Sequence, residues 1–161
     1  MSFEDRLQKA VERGRRRSEV KRQEARAKAM SEAELKGLHS KFRLQLSDRI
    51  EQCVRQLPNI FPGFSIETIY GERGWGAACS RDDLRVARRR RQESDYSRLE
   101  MTVRPYATHN VLELAAKGTI RNKEVFNRSY YEELPDVDLE KFTQLVDVWV
   151  LEYAEMFAGT S

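Results

Sequence analysis

The chain has 161 residues and a formal net charge of +3, with 40% hydrophobic and 34% charged residues. That suits one domain, or one small domain with an appended arm, and it is enough chain to bury a core without staples. No apolar run approaches a membrane span, no apolar h-region follows the N-terminus, and the early acids Glu4, Asp5, Glu12, Glu19 and Glu24 argue against a transit peptide, so the expected location is cytoplasmic.

The small net charge hides an asymmetry. Residues 1–128 hold 28 Lys and Arg against 18 Asp and Glu, a net of +10; residues 129–161 hold 1 against 8, a net of −7. Arg outnumbers Lys by 21 to 8, a bias that suits forked contacts to phosphate and carboxylate and that genome base composition also produces.

Residues 2 to about 30 read as a polar helix capped by Ser2, with Glu4 and Asp5 in its first turn. Phe3, Leu7 and Val11 recur every four residues, after which Val20 is the one larger apolar side chain as far as Lys28. Such a segment cannot bury a wide face and is expected to be either a solvent-exposed helical extension or a fraying arm. Ser31 with Glu34 fits a capping box, either opening a new helix or sitting inside a long one. Leu35, Leu38, Phe42, Leu46, Ile50, Cys53/Val54 and Leu57 then form one helical stripe, stopped by Pro58 and the Pro62-Gly63 turn.

After Gly63 the period becomes two. Phe64, Ile66, Thr68 and Tyr70 fall on one face of a strand, Gly71 to Gly74 on a turn and Trp75 to Ser80 on a return strand. Residues 81–94 read as a charged insert. Leu99, Met101 and Val103 alternate with Arg98, Glu100, Thr102 and Arg104, and Leu112, Leu114, Ala116 and Ile120 alternate with Glu113, Lys117 and Arg121. Asn122-Lys123 is the expected turn into a strand from Glu124 to about Glu132. Pro135 and the acids Asp136 and Asp138 introduce a last helix with a broad stripe of Leu139, Phe142, Leu145/Val146, Trp149/Val150, Tyr153 and Phe157, ended by Gly159.

The order helix, strands, helix predicts an α+β fold: a meandering antiparallel sheet of four to five strands, packed on one face by an N-terminal and a C-terminal helix, with a basic N-terminal extension. The division expected is an arm over 1–30 and one domain over 31–161. The uncovered sheet face would carry a charged ladder of Arg98, Glu100, Arg104, Glu113, Lys117 and Arg121.

The motifs give little catalytic chemistry. Two His and two Cys without CxxC or HxxxH spacing imply no metal, and no cofactor is expected. Cys53 and Cys79 read as small buried apolar residues. Gly71 to Gly76 spells G-x-x-G-x-G without the Lys of a phosphate loop or a following helix. The acids Glu132, Glu133, Asp136 and Asp138 coincide with a helix start, where the dipole favours them.

The basic blocks carry the strongest functional signal. Arg13, Arg15, Arg16, Arg17, Lys21, Arg22, Arg26 and Lys28 crowd the arm, and Arg88, Arg89, Arg90 and Arg91 form a second block. Both are candidate polyanion sites, although interleaved Glu12, Glu19 and Glu24 also suit a solvated helix and neither block has aromatic residues for base stacking. Trp149, Tyr153 and Phe157 are candidate partner contacts, if the last stripe exceeds what one sheet face covers. Tyr70, Trp75, Arg104 and His109 are the first residues to inspect for a small-molecule pocket. The leading expectation is a small non-catalytic interaction module, adaptor or chaperone-like, meeting a protein partner or a second copy and no membrane. A nucleic-acid binder is the alternative, and a small-molecule binder or enzyme the third.

Overall fold

The computed structural model describes residues 2–86 and 92–160. Helix α1 runs from Phe3 to Val54. The Ser2 hydroxyl accepts from the Asp5 amide at 3.3 Å, as an N-cap should. Ser31 and Glu34 lie inside α1 and start no new helix. Nothing between Gly14 and Lys41 would stop the helix: the segment has no proline, and Val20 is its one β-branched residue.

The chain divides into two compact units, residues 1–37 and 38–161. In the first, every side chain described is exposed except Leu35, which is half-buried. The second unit contains the sheet and the core. Its strands are β1 (Ser65–Ile69), β2 (Trp75–Val86), β3 (Gln92–Val103), β4 (Val111–Ile120) and β5 (Lys123–Glu133), and its further helices are the short α2 (Leu57–Ile60) and α3 (Leu139–Ala158). The five strands pair in sequence order, each antiparallel to the next, as an open meander.

Register places Cys79, Leu99 and Gly118 in one row and Ala77, Met101 and Ala116 in the next, all on one face. That face is covered from α1 by Leu46, Ile50 and Val54, and from α3 by Phe142, Val146, Trp149, Val150, Tyr153 and Phe157, all buried. Specific contacts fix both helices to the same side. Thr68 of β1 donates to Glu51 of α1 at 3.2 Å, and Tyr130 of β5 meets Phe142 of α3 edge to face at 5.1 Å. Gly118 leaves room for this packing, because a Cβ there would lie 2.9 Å from Phe126 and 3.2 Å from Tyr153. Asp138 caps α3 by accepting from the Lys141 amide.

Three local expectations are corrected. Residues 81–86 and 92–94 form no insert: they extend β2 and β3 in continuous register from Trp75↔Val103 to Val86↔Gln92. Polar and charged residues hid this, since the covered face of the ribbon carries Arg81, Asp83, Asp95 and Ser97 and shows no apolar alternation. The β4–β5 turn is Arg121-Asn122, one residue earlier than expected, and both residues have positive φ (49° and 69°) between paired Ile120 and Lys123. This is the tight turn whose twist suits a hairpin. Arg121 is therefore a turn residue and not a rung of the ladder. Finally, Tyr70 lies beyond the end of β1 and is exposed, while Ile69 is buried in its place.

Candidate interaction surfaces

An α-helix turns about 100° per residue, which sorts the first unit into three faces. Phe3, Leu7 and Val11 lie on one, continued by Gly14, Ser18 and Ala25. Arg6, Lys9, Arg13, Arg16 and Arg17 lie on a second, with Lys21 at its border with the apolar face. Asp5, Glu12 and Glu19 lie on the third. Arg6, Lys9, Arg13 and Arg16 line one shallow groove along the helix together with Glu12. Of the arm residues singled out in the sequence, Arg13, Arg16, Arg17 and Lys21 belong to this ridge. Arg15, Arg22 and Arg26 fall on the opposite side, between the apolar and acidic faces. Arg6 and Lys9 escaped notice because they precede the dense Arg run, yet helical spacing alone joins them to it. Lys28 is within α1, but its side chain lies outside those described, and Arg88 to Arg91 lie outside the described residues.

The uncovered sheet face is charged and internally matched. Glu100 of β3 sits opposite Lys117 of β4. Arg98 reaches Glu67 at 3.2 Å and Glu100 at 3.5 Å, and Arg73 holds Glu100 at 2.7 Å. Arg104 lies 3.7 Å from Glu113 and Lys117 3.9 Å from Glu124. An open hollow of about 260 Å³ lies among Arg73, Glu100, Thr102, Arg104, Lys117 and Asn127. Its four neighbouring cations, Arg73, Arg98, Arg104 and Lys117, are balanced by four carboxylates.

The first unit is different. Among the described residues no carboxylate lies within ion-pair distance of Arg13, Arg15, Arg16, Arg17, Lys21, Arg22 or Arg26, whereas the sheet and its helices also pair Arg49 with Asp147, Arg55 with Glu51 and Arg128 with Glu152.

A third cluster lies where α1 meets β2 and the β3–β4 loop. The Arg43 guanidinium stacks over the Trp75 ring at 4.1 Å, and its buried Nε has no hydrogen-bond partner. One turn earlier the His39 ring is buried, with Nε2 3.1 Å from the Arg104 carbonyl and its edge toward Tyr106. Burial, with the Arg43 charge adding to it, holds the imidazole pKa below its ordinary value, while the Arg104 carbonyl works the other way.

The pocket residues expected from sequence do not converge. Tyr70 and His109 are exposed in loops, Trp75 faces the helices beneath Arg43, and Arg104 lines the hollow on the opposite face. The aromatic stripe of α3 is also not a contact surface. Trp149, Tyr153 and Phe157 are 7%, 0% and 8% exposed, because Phe61 and Phe64 close over Phe157 at 4.8 and 5.1 Å and Phe126 meets Tyr153. Phe61 and Phe64, on either side of the expected Pro62-Gly63 turn, supply this unexpected cover, and Phe64 lies before β1 and not on its expected strand face.

Burial pushes the Cys53 thiol up to about 11 and the Cys79 thiol up to about 12. Among the described residues no group of His, Cys, Asp and Glu is placed to hold a metal ion, and no helix is long and apolar enough to cross a membrane. The chain is an α+β protein with an open five-stranded antiparallel meander between an N-terminal and a C-terminal helix. No protein family, curated protein or solved structure matches it significantly.

Proposed function

We propose that the chain is a small non-catalytic interaction module whose contact surface is the N-terminal part of α1. The observation that carries this reading is the contrast in charge pairing. Cations on the sheet face are set against carboxylates, while Arg13, Arg16, Arg17 and Lys21 are exposed without one. A run of like charges on one helix face costs helix stability, and an isolated helix without tertiary packing is marginal in water. A partner that neutralises the ridge removes the first cost and offsets the second. The thiols, held protonated by burial, are poor nucleophiles, which gives a catalytic reading nothing to build on.

The test is photo-crosslinking of the full chain in the cells that express it, with a photoreactive side chain at Leu7 or Val20 of α1 and, as comparison, at Leu84 or Tyr131 of the sheet. These four positions are all exposed. Discrete adducts are expected from the helix positions and not from the sheet positions. Adducts confined to the sheet positions, or none at any position, would overturn the reading.

A further inference from the structure

Building on the reading of α1 as a contact surface, we propose that its partner is double-stranded nucleic acid, held through the phosphate backbone by the ridge of Arg6, Lys9, Arg13, Arg16, Arg17 and Lys21. The ridge runs from Arg6 to Lys21, 15 helical steps or about 22 Å at 1.5 Å per residue. That length crosses a major groove about 12 Å wide and meets phosphates on both walls.

The side-chain chemistry agrees. Four of the six ridge residues are Arg, whose forked guanidinium takes two phosphate oxygens at once. Segregation matters as much as number. With Asp5, Glu12 and Glu19 gathered on another face, the ridge from Arg6 to Lys21 can approach a phosphate wall without setting those carboxylates against it, and Glu24 lies on the ridge face beyond Lys21, at its C-terminal end. A helix with the same composition and mixed faces could not do so.

Two other polyanionic surfaces fit less well. Single strands are gripped by stacking on aromatic side chains, and the ridge has none. An anionic membrane would take the apolar face as well, but its large side chains stop at Val11, while the cations continue to Lys21. Interfacial helices bind in proportion to buried apolar area, and three side chains supply little. With no base-reading side chains identified, the contact is to backbone and independent of sequence.

The experiment compares the full chain with two triple variants of equal net charge. One is Arg13→Glu, Arg16→Glu, Arg17→Glu on the ridge; the other is Arg15→Glu, Arg22→Glu, Arg26→Glu on the far side. Each is titrated by fluorescence anisotropy against a generic duplex, a single strand of the same length and vesicles with one-third anionic lipid, and helix content is checked by circular dichroism. Wild-type affinity for duplex should fall about 100-fold between 50 and 200 mM salt, the slope of roughly four phosphate contacts. The ridge variant should lose at least about 30-fold at 50 mM salt and the far-side variant less than about 5-fold, in keeping with local contact to phosphate. Equal losses in the two variants would reduce the effect to net charge and overturn the proposal. So would tighter binding to the single strand or the vesicles, or no duplex binding at 50 mM salt. In that last case helix-specific photo-adducts would keep the interaction reading standing while the partner assigned here fell.

Discussion

Arg49 of α1 grips Asp147 of α3 with two parallel hydrogen bonds, Nε to Oδ1 at 3.0 Å and Nη2 to Oδ2 at 2.8 Å, and the Cys53 thiol donates to the same Oδ1 at 3.2 Å. Two helices that share one sheet face are thereby fixed in register with each other, beside the buried Ile50 and Val146. The guanidinium beside Asp147 holds its carboxyl below the usual carboxylate range. Both side chains are about 40% exposed, so solvent screens the pair, and Asp147→Asn should cost only about 0.5–1 kcal/mol. The sign of the pH effect follows from the lowered value. The contribution is complete above the unfolded pKa of about 4 and is lost as pH falls through the folded one. Urea melts of wild type and D147N at pH 7 and pH 3 check it: the difference seen at pH 7 should shrink at pH 3.

His39 acts in a separate window. Its imidazole is buried neutral, with Arg43 one turn away and the Arg104 carbonyl as its partner. Because the folded pKa is lowered, the unfolded chain binds the proton more tightly. Stability should therefore be unaffected above about pH 6.5 and fall as pH drops below it, until the folded pKa is passed. His39→Gln keeps a donor for the carbonyl and removes the titration. Thermal melts at pH 7.5 and 5.5 should show a smaller drop in H39Q than in wild type, and an identical drop would remove His39 from the acid response.

The core offers a sharper packing test. Tyr153 is fully buried on α3, and its hydroxyl donates to the Thr119 carbonyl at 2.9 Å, beside the register shift at Gly118/Thr119 in β4. Tyr153→Phe leaves that carbonyl short of a donor and should cost about 1–2 kcal/mol. Gly118→Ala places a methyl 2.9 Å from Phe126 and 3.2 Å from Tyr153, with an expected cost of about 1–3 kcal/mol. The two sites touch, so the double variant should deviate from additivity, which equilibrium denaturation will reveal.

The thiols should be nearly inert in the native protein. With Cys53 raised to about 11, roughly one molecule in a thousand carries the thiolate at pH 8. Cys79 is both raised and fully buried. A colorimetric disulfide reagent at pH 8 should label Cys53 slowly and Cys79 only after denaturant is added. Rapid labelling of two thiols without denaturant would contradict the packing around β2.

Much of this fold was legible because its buried side chains repeat. Leu99, Met101 and Val103 announce a half-buried strand, and Phe142 to Phe157 announce a helix lying on it. The rest has a common physical cause: positions whose burial is not carried by a local run of apolar side chains. Ser94, Asp82 and Leu84 lie on the exposed face of a ribbon whose other face carries Arg81, Asp83, Asp95 and Ser97, so its alternation in burial is not written in apolar side chains. Tyr70 looked like a fourth apolar rung, but the chain turns at Gly71, where φ is +106°. The basic arm was visible as a cluster in sequence, yet its division into a ridge and a far side comes only from winding it at helical pitch. The cover that Phe61 and Phe64 give Phe157 joins residues nearly a hundred positions apart, and no local pattern carries it.

The ribbon has an energetic consequence. Beyond Ser80 strand β2 has no partner on its β1 side, and before Arg98 strand β3 has no ladder partner in β4. The Arg121-Asn122 turn reaches across to Ser97, Tyr96 and Ser94, and Arg81 donates to the Pro62 carbonyl on the other side. A two-stranded ribbon is marginal in water on its own. Its amides should therefore exchange with solvent through local fraying that leaves the five-stranded part closed, grading from fast near Val86 and Gln92 to slow at Cys79 and Leu99. A sheet continuous in register should thus open in two stages, the ribbon fraying from its free end toward Ser94, where the Asn122 side chain ties it to the rest.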